Sequence, residues 1–327
     1  MLLKIQHDEA LDSFLSRNRH VFQKEFLINN PFKLKLESSS NRWGTSDIKA
    51  VASAIGWEGC YGFNKLLHLH TCYFETTFIK GDTDQAYSGK YYGCDNNFEL
   101  DCFIRREDIG LCLECVKSDI DKLGFCYWRR SHQSDSNVCA VHNVVLSRQC
   151  QFCGKPFNLK GRNFGLLWNR CDCGKSLLEG DVIHNEDEFE LNVSRLLSDI
   201  FSYGLHINSS AAYEAILLRL KRDGAEALPV PRRIGALYES RLPPQIRSDV
   251  DFDFDWFVRQ GPAYMAVMGS YMTDTILALF SDFSEFVGCL GDVSAGTRSV
   301  ESTWGTYISG SPHVENPIYV VTGWKPE

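Results

Sequence analysis

The chain has 327 residues, enough for two or three domains with separate cores, and its 44% hydrophobic and 23% charged content is that of an ordinary globular protein. No apolar run approaches the roughly 20 residues a membrane helix needs, and the opening Met1-Leu-Leu-Lys-Ile-Gln-His7 turns polar too soon for a secretion signal, so a cytoplasmic, reducing location without a membrane partner is expected. The net charge of −8 argues against wholesale nucleic-acid binding, but it is uneven: residues 251–327 carry −7 while 146–175 carry +5, leaving basic patches able to follow phosphates.

In chain order, Asp8 is placed to cap a helix running to about residue 20, with Glu9 and Asp12 in its first turn. Leu11, Phe14 and Leu15 form its apolar stripe, and Arg17 and Arg19 are assigned to the surface. Residues 28–45 read as loop. A second helix over 46–55 aligns Ile48, Val51, Ala52 and Ile55 and stops at Gly56. A third over 62–70 carries Phe63, Leu66, Leu67 and His70. Short helices with a tight turn between them suit a small N-terminal domain of helix-turn-helix type. His68, His70 and Cys72 alternate along a helix and diverge, so a metal cluster is not expected there. Residues 81–97, rich in Gly, Asp, Asn and Tyr, read as loop.

Residues 101–175 hold four close pairs of soft ligands: Cys112-Leu-Glu-Cys115, Cys139-Ala-Val-His142, Cys150-Gln-Phe-Cys153 and Cys171-Asp-Cys173. A tetrahedral structural zinc takes two such turns. Pairing neighbour with neighbour gives one site of three cysteines and a histidine and one of four cysteines; an interleaved pairing also fits the spacing. In a reducing compartment metal explains the thirteen cysteines better than disulfides do. Both sites come out saturated by protein, with no place for an activated water, so the two zinc ions are expected to be structural, each supplying an apparent ~10–16 kcal/mol on the scale of zinc-finger peptides. Cys94, Cys102, Cys126 and His132 are spare and able to substitute for a misassigned ligand. The basic stretch of the second site includes Lys160 and Arg162. There is no Gly-rich phosphate loop, no G-x-S-x-G and no H-E-x-x-H, and the chain is not expected to be an enzyme.

Beyond residue 185 the pattern is helical. A helix opening at 186–190 carries Phe189, Val193, Leu196, Leu197 and Ile200, and Ser209 or Ser210 caps another with Tyr213, Ile216, Leu217 and Leu220 inward and Gly224 as the stop. Pro231 opens a helix over 231–242 that makes a second helix-turn-helix with its predecessor. Its Arg232 and Arg233 enter a DNA groove or form a solvated face; the pattern leaves both open. Residues 251–257 alternate acid and aromatic, and an almost wholly apolar helix spans about 263–287. The sum is a mainly α protein with small zinc-ribbon β elements: a helical, HTH-like domain over 1–100, a double zinc-binding domain over 101–185 and a helical domain over 186–327.

One block of residues has a family look. Cys112-x-x-Cys115, Asp119, Tyr127-Trp128-Arg129-Arg130-Ser131-His132-Gln133, Cys139-x-x-His142, Leu146 and Cys150-x-x-Cys153-Gly154 together resemble the TniQ/TnsD family, the target-selection proteins of bacterial cut-and-paste transposons. The opening Asp8-Glu9-Ala10-Leu11-Asp12-Ser13-Phe14-Leu15-Ser16-Arg17 is similar to that family's D-E-S-L-x-S-x-L-x-R start, departing at Ala10. The closing C-x-C pair is a point where the second site departs in detail. The resemblance implies an adaptor that connects a DNA target, or a CRISPR effector complex with its guide RNA, to an AAA+ ATPase that regulates transposition; a homodimer is left open. It also implies that Trp128 packs over the first zinc site, and it makes Arg129, Arg130 and His132 candidates for contact with phosphate or a partner carboxylate. A hydrogen-bonded core role is equally open to His132. The alternative is a stand-alone, sequence-specific DNA-binding protein built from zinc sites and helix-turn-helix parts.

Overall fold

In the computed structural model of the chain, Asp8-Glu9-Ala10 runs alongside Trp128-Arg129-Arg130, with Glu9 in an isolated bridge. The Ala10 N–H donates to the Trp128 carbonyl and the Arg130 N–H to the Asp8 carbonyl, each at 2.8 Å, and Glu9 bridges antiparallel to Arg129. The residues described are 3–28, 42–73, 78–80, 102–104, 109–133, 136–158, 164–204, 206–222 and 269–297.

The expected cap at Asp8 is therefore corrected. Asp8 has a left-handed backbone (φ 54°), and its carboxylate accepts from Ser131 Oγ at 2.5 Å and faces Arg130 Nε at 3.4 Å. Helix α1 (Leu11–Ile28) starts later and runs further than expected, since no Gly or Pro interrupts the sequence until Pro31. Leu11, Phe14 and Leu15 are buried as the apolar spacing required. Arg17 is buried too, against expectation. Its Nε and Nη2 meet the two oxygens of Glu9 at 2.7 and 2.6 Å, and its guanidinium lies over the Phe125 ring. The helix pattern does not reveal this burial because the partner comes from the segment before the helix, not from the helix face.

After strand β1 (Arg42–Gly44), helices α2 (Thr45–Ala54) and α3 (Gly59–His70) lie close to their expected bounds. Gly56 takes the left-handed conformation (φ 78°) that ends α2, and its N–H and that of Trp57 return to the Ser53 and Ala52 carbonyls. Gly62 is sterically required: a Cβ there would stand 2.0 Å from the Trp57 carbonyl oxygen. Ile48 and Val51 of α2, Phe63 and Leu66 of α3 and Phe14 of α1 share one core, with Ile55 packed at its edge. His70 Nδ1 donates to the Glu9 carbonyl at 2.7 Å, and burial draws its pKa down to about 4, so it is a neutral core histidine.

Described β structure is slight. Strand β2 (Ile79–Lys80) pairs in parallel with β4 (Ile207–Asn208), and β1 pairs antiparallel with β3 (Cys102–Ile104). In the cysteine-rich region the ribbons reduce to single bridges: Leu111 to Ser147, Val138 to Val145, Gln149 to Pro156 and Arg170 to Ser176. That region's helix is α4 (Leu113–Leu123), and α5 (Glu188–Tyr203) follows, capped by Asp187, whose Oδ1 accepts from the Phe189 N–H at 2.9 Å.

The chain divides into two compact units, Met1–Phe74 with Tyr87–Ser202 and Glu75–Ala86 with Tyr203–Glu327. The N-terminal helices and the cysteine-rich region fall in one unit because the backbone exchange at Asp8–Ala10 and the Glu9–Arg17 pair join them. In the second unit, α6 (Ser209–Arg222) is capped by Asn208 and not by a serine: its Oδ1 accepts from the Ser210 N–H at 2.9 Å. Ala212, Ala215, Ile216 and Leu220 are buried, while Tyr213 and Leu217 are only half-buried. The apolar run expected to be one helix is broken into α7 (Gly269–Leu279) and α8 (Phe283–Thr297). Asp282 Oδ1 accepts from the Glu285 N–H (2.8 Å) and Glu285 from the Ser281 N–H (2.7 Å), a cap that starts a new helix inside the apolar stretch. Arg219 of α6 pairs with Glu285 at 2.5 Å. The expected loop at 81–97, the helix over 231–242 with Arg232 and Arg233, the 251–257 stretch and the C-terminal tail lie outside the described residues.

Breaking one side of a buried ion pair strands the other charge. Arg17→Met is expected to lower stability by about 3–5 kcal/mol, read from the midpoint of urea unfolding, and the double substitution Glu9→Gln with Arg17→Met to recover much of that loss.

Candidate metal centres

Each ligand pair is built by a local turn. Cys112 caps α4, its Sγ accepting from the Cys115 N–H at 3.4 Å, so this pair sits at the positive end of a helix. The other three pairs share a different construction. The residue just after the second ligand is left-handed: Asn143 (φ 52°), Gly154 (φ 68°) and Gly174 (φ 85°). Its N–H returns to the carbonyl of the first ligand, at 2.9 Å in Asn143 to Cys139, Gly154 to Cys150 and Gly174 to Cys171. The N–H of the first ligand then closes the turn, Cys139 on Val144, Cys150 on Lys155 and Cys171 on Lys175, again at 2.9 Å. The signal for this was present in the sequence as Asn or Gly directly after His142, Cys153 and Cys173.

The fold brings the pairs together neighbour with neighbour. Cys112, Cys115, Cys139 and His142 form one cluster and Cys150, Cys153, Cys171 and Cys173 the other, with the ligand atoms of each within 4.8 Å of one another. The interleaved pairing is excluded. Four sulfurs bound at about 2.3 Å around a tetrahedral ion stand about 3.8 Å apart, and a sulfur and an imidazole nitrogen about 3.5 Å. The sulfur separations are 3.9 Å (Cys115–Cys139), 3.8 Å (Cys150–Cys173) and 3.7 Å (Cys153–Cys171). His142 Nδ1 stands 3.4, 3.3 and 3.7 Å from Cys112, Cys115 and Cys139. Both donor sets therefore fit a tetrahedral thiophilic ion.

Electrostatics at the first cluster point the same way. Hydrogen bonds from Cys112 and Cys115, joined by His132, drive the Cys139 thiol far below its usual value. Cys115 is driven far up by Cys112, by Cys139 and by burial. A bound cation would hold all three sulfurs as thiolates. In the second cluster burial raises Cys150, yet the N–H groups of Cys153 and Phe152 overcome it and bring the thiol down to about 7. Cys126 is not a ligand: burial pushes it up to about 12, and its Sγ donates to the Leu166 carbonyl at 2.9 Å.

The candidate contact residues are placed differently from expectation. Arg129 makes a two-pronged pair with Asp119 of α4, at 2.7 and 2.8 Å, and lies over the Tyr127 ring. Arg130 is 3% exposed; its guanidinium serves the His68 and Phe201 carbonyls and covers the Phe201 ring. His132 is buried on Cys139. Arg130 and His132 are buried and Arg129 is half-buried on Asp119, so each finds partners within the fold; for His132 this is the core role left open to it. Trp128 is also buried, but in the apolar cluster that contains Cys150 and Cys171 of the second site. Lys160 and Arg162 lie outside the described residues.

Fold and site define a mostly helical protein with few strands and two four-ligand Cys/His clusters able to hold metal ions. No family model matches the chain, and no curated protein matches it either. No helix among the described residues is long and apolar enough to cross a membrane.

The separate clusters predict separable ions. Elemental analysis of the purified chain is expected to give two ions per chain, falling to one in Cys115→Ser and to one in Cys173→Ser. Gly154→Ala meets no neighbour within 4 Å, so its expected cost is the left-handed backbone alone, about 1–2 kcal/mol in thermal unfolding.

Proposed function

We propose that this chain is a target-selection adaptor of DNA transposition, as its resemblance to the TniQ/TnsD family implies, stiffened by two structural zinc ions and performing no catalysis. The observation that carries the reading is the meeting of its two motif blocks. Asp8, Glu9, Ser13 and Arg17 of the first block interlock with Trp128, Arg130 and Ser131 of the second: Ser13 Oγ donates to Glu9 and accepts from the Trp128 N–H, and Asp8 holds both Ser131 and Arg130. Asp119, a third motif position, is tied to Arg129. The signature residues thus serve each other, which supports reading the two blocks as parts of one motif.

Zinc is the assigned ion because a closed set of thiolates and imidazole is the ligand field of structural zinc. With four protein ligands in each site, no coordination position is left for a reacting water, which supports a non-enzymatic role. A cytoplasmic location belongs to the same reading, since such thiolate sites need reducing surroundings. The finer layout belongs to it as well: α2 and α3 form a helix-turn-helix pair ahead of a double zinc module and a helical C-terminal part. The only Lys or Arg of α3 is Lys65, whose ammonium sits over the Trp57 ring at 4.3 Å. Phosphate contacts dominate duplex affinity, so this helix pair and the inward-turned arginines favour a protein partner over direct groove reading. That partner is the AAA+ ATPase, with the DNA target supplied directly or by a guide-RNA effector complex.

The test mixes the zinc-loaded chain with the AAA+ ATPase of its own locus and, separately, with DNA duplexes across a salt series. Co-elution with the ATPase and weak duplex binding of shallow salt dependence are the expected result. Tight, sequence-selective duplex binding with a steep salt slope and no ATPase association would overturn it in favour of a stand-alone DNA-binding regulator.

A further inference from the structure

The two metal clusters are not equivalent in their access to solvent. In the first, Cys112, Cys115 and Cys139 are all buried and His142 is half-buried. In the second, Cys150 and Cys171 are buried while Cys153 and Cys173 are exposed. The second set is also all sulfur, so its ligands carry four negative charges where the first set carries three, and its sulfurs are the more electron-rich. Two cations stand beside it. Lys155, whose charge acts on Cys171 and Cys153, pairs with Asp172, and Lys175 pairs with Glu179 and lies over the exposed Phe152 ring. A thiolate open to solvent is one a dissolved oxidant can reach. Each exposed sulfur has a buried one against it, Cys153 by Cys171 at 3.7 Å and Cys173 by Cys150 at 3.8 Å.

We propose that the second cluster is an oxidisable thiolate switch, which hydrogen peroxide opens at Cys153 or Cys173 with release of the metal ion while the first cluster keeps its own. The inference rests on the metal reading above. The exposed thiolate attacks the peroxide O–O bond and takes one oxygen as a sulfenic acid; the other oxygen leaves as hydroxide and is protonated to water. The neighbouring thiolate, Cys171 for Cys153 or Cys150 for Cys173, then attacks the sulfenic sulfur, forms the S–S bond and expels the second hydroxide. Two thiolates lose two electrons, the peroxide becomes two waters with two protons taken up, and the zinc stays divalent. An ion left with two of its four ligands dissociates. Because Cys150 and Cys171 belong to the apolar cluster that holds Trp128, Leu113 and Val116, opening this site loosens the packing beneath the Trp128–Arg130 segment.

The experiment treats the zinc-loaded full chain with hydrogen peroxide, follows released zinc with a chromogenic chelator and maps disulfides by mass spectrometry. One of two ions is expected to leave, with a Cys153–Cys171 or Cys150–Cys173 bond, and thiol reductant plus zinc restores it. Cys153→His with Cys173→His keeps four ligands while removing the exposed thiolates, and is expected to slow release by roughly tenfold. Loss of both ions at one rate, earlier loss from the first cluster, or unchanged release from the double variant overturns the switch. So does a full starting count of two ions with a peroxide-resistant second site. A starting count below two overturns the metal reading itself, and this inference with it.

Discussion

The carboxylate of Glu9 is fully buried, and the way it is satisfied organises the first unit. Its two oxygens take the Arg17 guanidinium, the Ser13 hydroxyl and the Gln6 N–H, and its carbonyl takes His70 Nδ1. A buried charge of this kind is tolerated only with every lone pair occupied, so the segment before α1, the first two turns of α1 and the end of α3 must be in place together. The same stretch of backbone bridges Arg129, which carries the constraint into the cysteine-rich region.

From Arg129 the constraint reaches the metal sites. The guanidinium is locked onto Asp119, on the helix whose first turn bears Cys112 and Cys115, and His132 a few residues on rests against Cys139. Ligand geometry and N-terminal docking are therefore parts of one network. A network wired in this way fixes the N-terminal helices and the ligand turns in one arrangement. The solvent-open second cluster stands at the edge of this network, joined to it through the apolar packing around Trp128.

Local rules read well where a segment's own neighbours decide its fate. Helices α2 and α3 follow from a 3.6-residue apolar period, with a glycine stop for α2, and their core positions Val51, Phe63 and Leu66 follow with them. The readings that failed depend on a partner distant in sequence or on a polar detail inside an apolar run. Arg17, Arg129 and Arg130 look like surface cations until Glu9, Asp119 and the His68 carbonyl are brought to them. The break at residues 280–282 is set by Asp282 and Glu285, two carboxylates whose capping role is masked by the hydrophobic residues on either side.

By itself the sequence determined the ligands of both clusters, because metal turns are made by residues two or three apart and their chemistry is local. It also carried the helical character of the chain and, in Asn143, Gly154 and Gly174, the left-handed closures of three ligand pairs. Only the tertiary structure decided which pairs come together, since spacing permits more than one pairing and contact between distant turns selects one. It alone turned the motif arginines inward and left Cys153 and Cys173 in solvent while burying Cys150 and Cys171. Burial is a property of what packs on a residue from elsewhere in the chain, and no local pattern encodes it.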